Sequence, residues 1–107
     1  MNYDKADGYT ELVNAIMTQA ADDYRAACGV FVKCTDLLAS LKRQAQIPNA
    51  PAIISERIRQ AEHRQNGAAE DMANLERFFR GRWASALTGG ANMEYIIKEL
   101  KKEFGLK

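Results

Sequence analysis

The chain has 107 residues, with fifteen Lys and Arg against fourteen Asp and Glu for a net charge of +1, so it is long enough for one self-supporting domain and too evenly charged for a dedicated polyanion binder. No apolar run approaches the ~20 residues of a membrane span, and MNYDKADGY lacks the apolar stretch of a secretory leader, so a cytoplasmic protein that does not enter membranes is expected. The charge is not spread evenly. Residues 1–25 carry five acids against two bases, and residues 76–107 carry four against seven.

Residues 1–8 are polar and contain Asp7-Gly8, so a flexible tail is expected, with Asp7 or Thr10 capping the helix that follows. From about Tyr9 to Gln46 apolar residues step by four and three in turn: Val13, Met17, Ala20, Tyr24, Ala27, Phe31, Cys34, Leu38, Leu41 and Ala45. That is the seam of a coiled-coil-like helix, broadened by Leu12, Ile16, Val30 and Leu37. Cys28 and Cys34 lie six residues apart on it, about 9 Å along the axis and on different faces, so two unpaired packing thiols are expected. Ile47-Pro48-Asn49-Ala50-Pro51 stops the helix, because Pro48 cannot continue it and Pro51 suits a new first turn.

The second helix is predicted over 51–87. Ile54, Ile58, Ala61, Gln65, Ala68, Met72, Leu75 and Phe79 keep the same alternation, running through Asn66-Gly67 without a slip. Phe78, Phe79, Trp83, Ala86 and Leu87 extend the stripe, and all three large rings are expected in the core. A short link between two long helices makes them antiparallel. Folding the chain about residue 49 sets Ala26, Ala27 and Gly29 against Gly67, Ala68 and Ala69, where small residues would let the backbones approach closely. It also sets Glu11, Asp22 and Asp23 near Arg77, Arg80 and Arg82. Thr88-Gly89-Gly90 ends the second helix, and Asn92 caps a third over 92–104 with Met93, Ile96, Ile97, Leu100 and Phe104 as its stripe. This helix is expected to return over Phe78, Phe79 and Trp83 with Leu12 and Ile16. The predicted fold is therefore all-α: a flexible tail over 1–8, and over 9–107 a single domain built as a long antiparallel hairpin with a short third helix packed on its open end.

No residue set suits catalysis. His63 is the single histidine and falls on the outward face, two separated cysteines do not make a zinc site, and there is no Asp-rich calcium loop, glycine-rich phosphate loop or Gly-x-Ser-x-Gly. The expectation is a protein that is not an enzyme and uses no cofactor and no metal. What remains is surface: Arg59, His63, Arg77 and Arg80 on the outer face of the second helix, and Arg82, Lys98, Lys101 and Lys102 about the open end, as candidate partner-binding residues. A basic patch with aromatics nearby is also the pattern of nucleic-acid contact, although rings held in the core cannot stack on bases.

The run LERFFRGRWASALT (Leu75–Thr88) followed by EYIIKELKKEF (Glu94–Phe104), with DDYRAA (Asp22–Ala27) upstream, resembles a family of short helical proteins encoded by phages, prophages and integrated mobile elements of Gram-positive bacteria. Those proteins end in a Phe-Phe-Arg-Ser-x-Trp, Leu-Thr, Tyr-Leu-Ile type of pattern. Here Gly81 stands where that pattern has Ser. The resemblance implies a bacterial host cytoplasm and a mobile-element setting. Together with the absence of catalytic residues it gives the leading expectation, a chain that binds a host or phage protein, for instance to inhibit a host defence complex. Two other readings stay open, an accessory nucleic-acid binder using the basic patch and a structural homodimer in which a second hairpin covers the broad stripe.

Overall fold

The computed structural model describes the backbone of residues 3–107 and the side chains from residue 8 onward. The chain is all-helical among the described residues: α1 (Tyr3–Ala45), α2 (Ala52–Arg80), α3 (Arg82–Leu87) and α4 (Met93–Lys102). α1 and α2 form the antiparallel hairpin, since Thr35 meets Gln65 near its middle and Tyr24 meets Glu76 toward its open end. Helix α1 begins six residues before the expected Tyr9, which puts Thr10 inside the helix and not at its cap. Of the expected tail, Met1 and Asn2 lie outside the described residues, as does the side chain of Asp7.

The predicted seams are the buried lines of the hairpin. Ala20, Tyr24, Ala27, Cys34, Leu38 and Leu41 of α1 and Ile54, Ala61, Ala68, Met72 and Phe79 of α2 are buried, and Val13 is buried beside Leu87 and Met93. Removing these apolar surfaces from water, at roughly 25 cal/mol per Å², is the main favourable term for a helix pair this long. The core forms two clusters. Leu38, Leu41, Ile54 and Ala61 pack near the loop, and a larger group around Tyr24, Met72, Phe79, Ile97 and Leu100 fills the open end. Between them the half-buried Gln65 donates from Nε2 to Thr35 Oγ1 at 2.8 Å, which satisfies the one polar member of the α2 seam.

Turn chemistry sets the corners. Asn49 takes φ 63° in the hairpin loop, a conformation that Asn tolerates better than most residues. Gly89 has φ 68°, and the next amide, Gly90 N, reaches back to Ser85 O at 2.9 Å to close a Schellman end on α3. Gly105 does the same after α4, with Leu106 N bonded to Lys101 O at 3.0 Å. Asn92 caps α4 as expected, its Oδ1 accepting from Tyr95 N at 3.1 Å.

Three expectations need correction. The predicted helix over 51–87 breaks at Gly81, whose φ −74° and ψ 159° are extended. The seam therefore slips. Ala84, not Trp83, is the fully buried residue of α3, and Trp83 and Ala86 face solvent. Second, the glycines are not a point of close approach. A Cβ on Gly29 would meet Phe104 at 3.7 Å, and one on Gly67 would meet nothing within 4 Å. Third, α4 returns on the Ala21–Arg25–Cys28 side of α1 and not over Leu12 and Ile16, so Leu12 stays exposed and the half-buried Ile16 lies instead beside Phe78, because the break at Gly81 redirects the chain before the α3–α4 turn.

Candidate functional site

The open end gathers most of what a partner could recognise. Gly81 is there for space and not for a left-handed φ: an added Cβ would sit 3.3 Å from both Arg77 O and Phe78 O. Those carbonyls belong to the last turn of α2, where they accept or stand clear as the chain turns out of the helix. The turn carries Trp83 to the surface, 54% exposed, with its ring 5.5 Å from that of Phe78 and tilted by 56°. Phe78 in turn packs edge-on against Phe79, which is buried, and Phe79 against Tyr24 at 6.2 Å. A chain of rings thus runs from the core to the surface. Tyr9, Leu12 and Tyr95 at the same end are each more than half exposed.

Beneath this end lies a polar hub that the sequence did not reveal. The Tyr24 hydroxyl, on a fully buried residue, donates to Glu76 Oε2 at 2.7 Å. Glu76 also takes Arg80 at 3.3 Å and Lys101 at 3.6 Å, and Arg80 pairs further with Glu94. Burial, followed by the hydrogen bond to Glu76, holds the Tyr24 hydroxyl well above its ordinary range. The hydrogen bond from Arg80 holds the Glu94 carboxyl below the usual carboxylate value, and Arg25 does the same for Glu103. Through Arg80–Glu94 and Arg25–Glu103, α4 is tied to both long helices.

The candidate surface residues scatter. Arg59 and His63 line a shallow depression with Gln60 and Arg64 near the middle of α2, far along the helix from the open end. Arg80, Lys98 and Lys101 do come together, with Tyr95 and Lys107, in a second depression beside α4. Arg77 points away and donates to Asn74, Lys102 pairs with Glu99 at 3.3 Å, and Arg82 is exposed with no ion pair among the described residues. Glu11, Asp22 and Asp23 form no ion pair with Arg77, Arg80 or Arg82 among the described residues, although Asp23 lines a groove with Leu75 and Phe78 of α2. Asp22 pairs with Arg25, and the acids that meet Arg80 come from α2 itself and from α4. Glu76 could have been read from its four-residue spacing to Arg80. Glu94 and the exposure of Trp83 could not, since both depend on the break at Gly81.

No family model, curated protein or solved structure matches the chain. Among the described residues no helix is long and apolar enough to cross a membrane, and no group of three or more His, Cys, Asp and Glu is placed to hold a metal ion.

Proposed function

We propose that this chain is a non-enzymatic protein that works by binding another protein through the open end of its hairpin. The observation that carries the reading is Trp83, the single tryptophan, more than half exposed and backed by Phe78. A large ring held against a rigid support loses little conformational freedom on binding, and tryptophan is among the residues that most often dominate interface energies. Tyr9, Leu12 and Tyr95 are further large apolar side chains exposed at the same end. The ion pairs on Arg80, Lys101 and Lys102 weigh against a nucleic-acid surface, because a cation already held by a carboxylate attracts phosphate less. On the resemblance of the C-terminal third, the proposed setting is a bacterial host cytoplasm and the proposed partner a host or phage protein, with inhibition of a host defence complex as the form this takes.

The test is retention of a partner on the immobilised chain, comparing wild type with Trp83→Ala, Tyr95→Ala and His63→Ala. A partner kept by wild type and His63→Ala but lost from Trp83→Ala is the expected result. A partner lost instead from His63→Ala or Arg59→Ala moves the site to mid-helix. Salt-sensitive binding of DNA or RNA that disappears in Arg82→Glu or Lys98→Glu would replace this reading with the nucleic-acid one.

A further inference from the structure

Helix α4 covers one face of the hairpin near its open end and leaves the opposite face bare. Two grooves run along that bare face. One, of about 680 Å³, lies between Ala26 and Val30 on α1 and Arg64, Gly67 and Asp71 on α2. The other, of about 500 Å³, lies between Ile16 and Phe78. They share Asp23 and Leu75 and so form one trough. Helical spacing continues the same face from Val30 to Lys33 and Leu37, and from Gly67 back to Ile53, where Leu37 and Ile53 are 44% and 52% exposed.

The charges on this face are sorted. Asp23 and Asp71 lie toward the open end of the larger groove, and Lys33 and Arg64 stand on its loop side. None of the four joins an ion pair among the described residues. Such a face complements itself when turned end for end. Asp71 and Arg64 lie equally far on either side of the Gly67–Ala68 midpoint, and Asp23 and Lys33 equally far on either side of Cys28. Ala27, Gly67 and Ala68 all line the larger groove, so both midpoints fall within its length.

We infer that this face joins two copies of the chain into an antiparallel four-helix dimer, related by a two-fold axis crossing the hairpin near Ala27 and Gly67. In that arrangement Asp71 of each copy meets Arg64 of the other, and Asp23 meets Lys33, so each pair forms twice. Leu37 and Ile53 of one copy come over Ile16 and Phe78 of the other. The small residues of the trough floor let the facing helices settle close. A parallel arrangement would set aspartate on aspartate and is excluded by repulsion. From Ile53 to Phe78 the face runs about 38 Å; with the 20 Å width of the molecule it offers roughly 750 Å² per copy, the size of a standard stable interface.

Light scattering and sedimentation equilibrium on the whole chain test this inference. Wild type is expected at twice 12.0 kDa. Asp71→Arg and Arg64→Asp are each expected to raise the dissociation constant by about tenfold or more, as like charges then oppose each other twice. Mixing the two single variants, or combining both changes in one chain, restores every opposite pair and is expected to restore the dimer. Helical circular dichroism shows that each variant is folded. A wild-type mass of 12.0 kDa at all concentrations, as expected if a helix of another protein sits in the trough, overturns the inference, as do single variants that dimerise normally or a mixture that does not. Trp83 lies outside the trough, so Trp83→Ala tests the proposed partner-binding end without altering the mass.

Discussion

Burying the Tyr24 hydroxyl beside Glu76 couples one proton to the folded state. Its pKa is raised, so the folded chain holds that proton more tightly than the unfolded chain does. The stability this supplies is complete below the ordinary value of 10.0 and falls as pH rises beyond it. Alkaline melting curves should therefore lose midpoint temperature above about pH 10 in the wild type and change less steeply in Tyr24→Phe. At neutral pH Tyr24→Phe removes a donor from Glu76, and a loss of about 1–2 kcal/mol in thermal or urea unfolding is expected. The two thiols are a separate matter. Cys28 and Cys34 are free and buried, and burial pushes the Cys28 thiol upward. Both should resist a thiol reagent in the native protein, because burial keeps the reagent from the sulfur, and react together once it is unfolded in guanidinium.

At the scale of elements, Gly81 decides the shape of the open end. Alanine there would favour a continuous helix by about 1 kcal/mol and crowd the two carbonyls that the extended glycine clears. Continuing the helix returns Trp83 to the seam, four residues after Phe79, so Gly81→Ala should shift Trp83 emission to shorter wavelength and lower its quenching by acrylamide. Unchanged emission would show that the break does not depend on the glycine. Acid acts on α4. The Glu94 and Glu103 carboxyls are held below 4.5, so the hold of their ion pairs on α4 is present above that value and is lost as pH falls beneath it. Amide exchange in α4 is expected to quicken relative to the middle of α2 between about pH 5 and pH 3. The hairpin was legible in the sequence because the four-three alternation records burial directly, through Asn66-Gly67 and as far as Phe79. The Asn92 cap and the Gly89-Gly90 end are legible because their backbone chemistry is local. Trp83 is not legible in this way: the alternation continues across Gly81 and assigns it to the seam, and the break there leaves no mark in the pattern. The hub at Glu76 escaped because two of its partners, Tyr24 and Lys101, come from other helices, and a residue's tertiary neighbours are not written in its own spacing.

Across the whole molecule, the two ends of the hairpin carry different burdens. The loop end holds a small aliphatic cluster, while the open end holds the larger cluster with its rings, the Glu76 hub and the return of α4. The fold spans 74 × 21 × 20 Å, with a radius of gyration of 19.2 Å. A compact chain of this length would have about 13 Å. Such a rod meets more friction from water than a sphere of equal mass. A column calibrated with spherical standards will therefore pass even the single chain early and give it an inflated weight, which is why subunit number has to be read from scattered light or equilibrium sedimentation, where shape drops out.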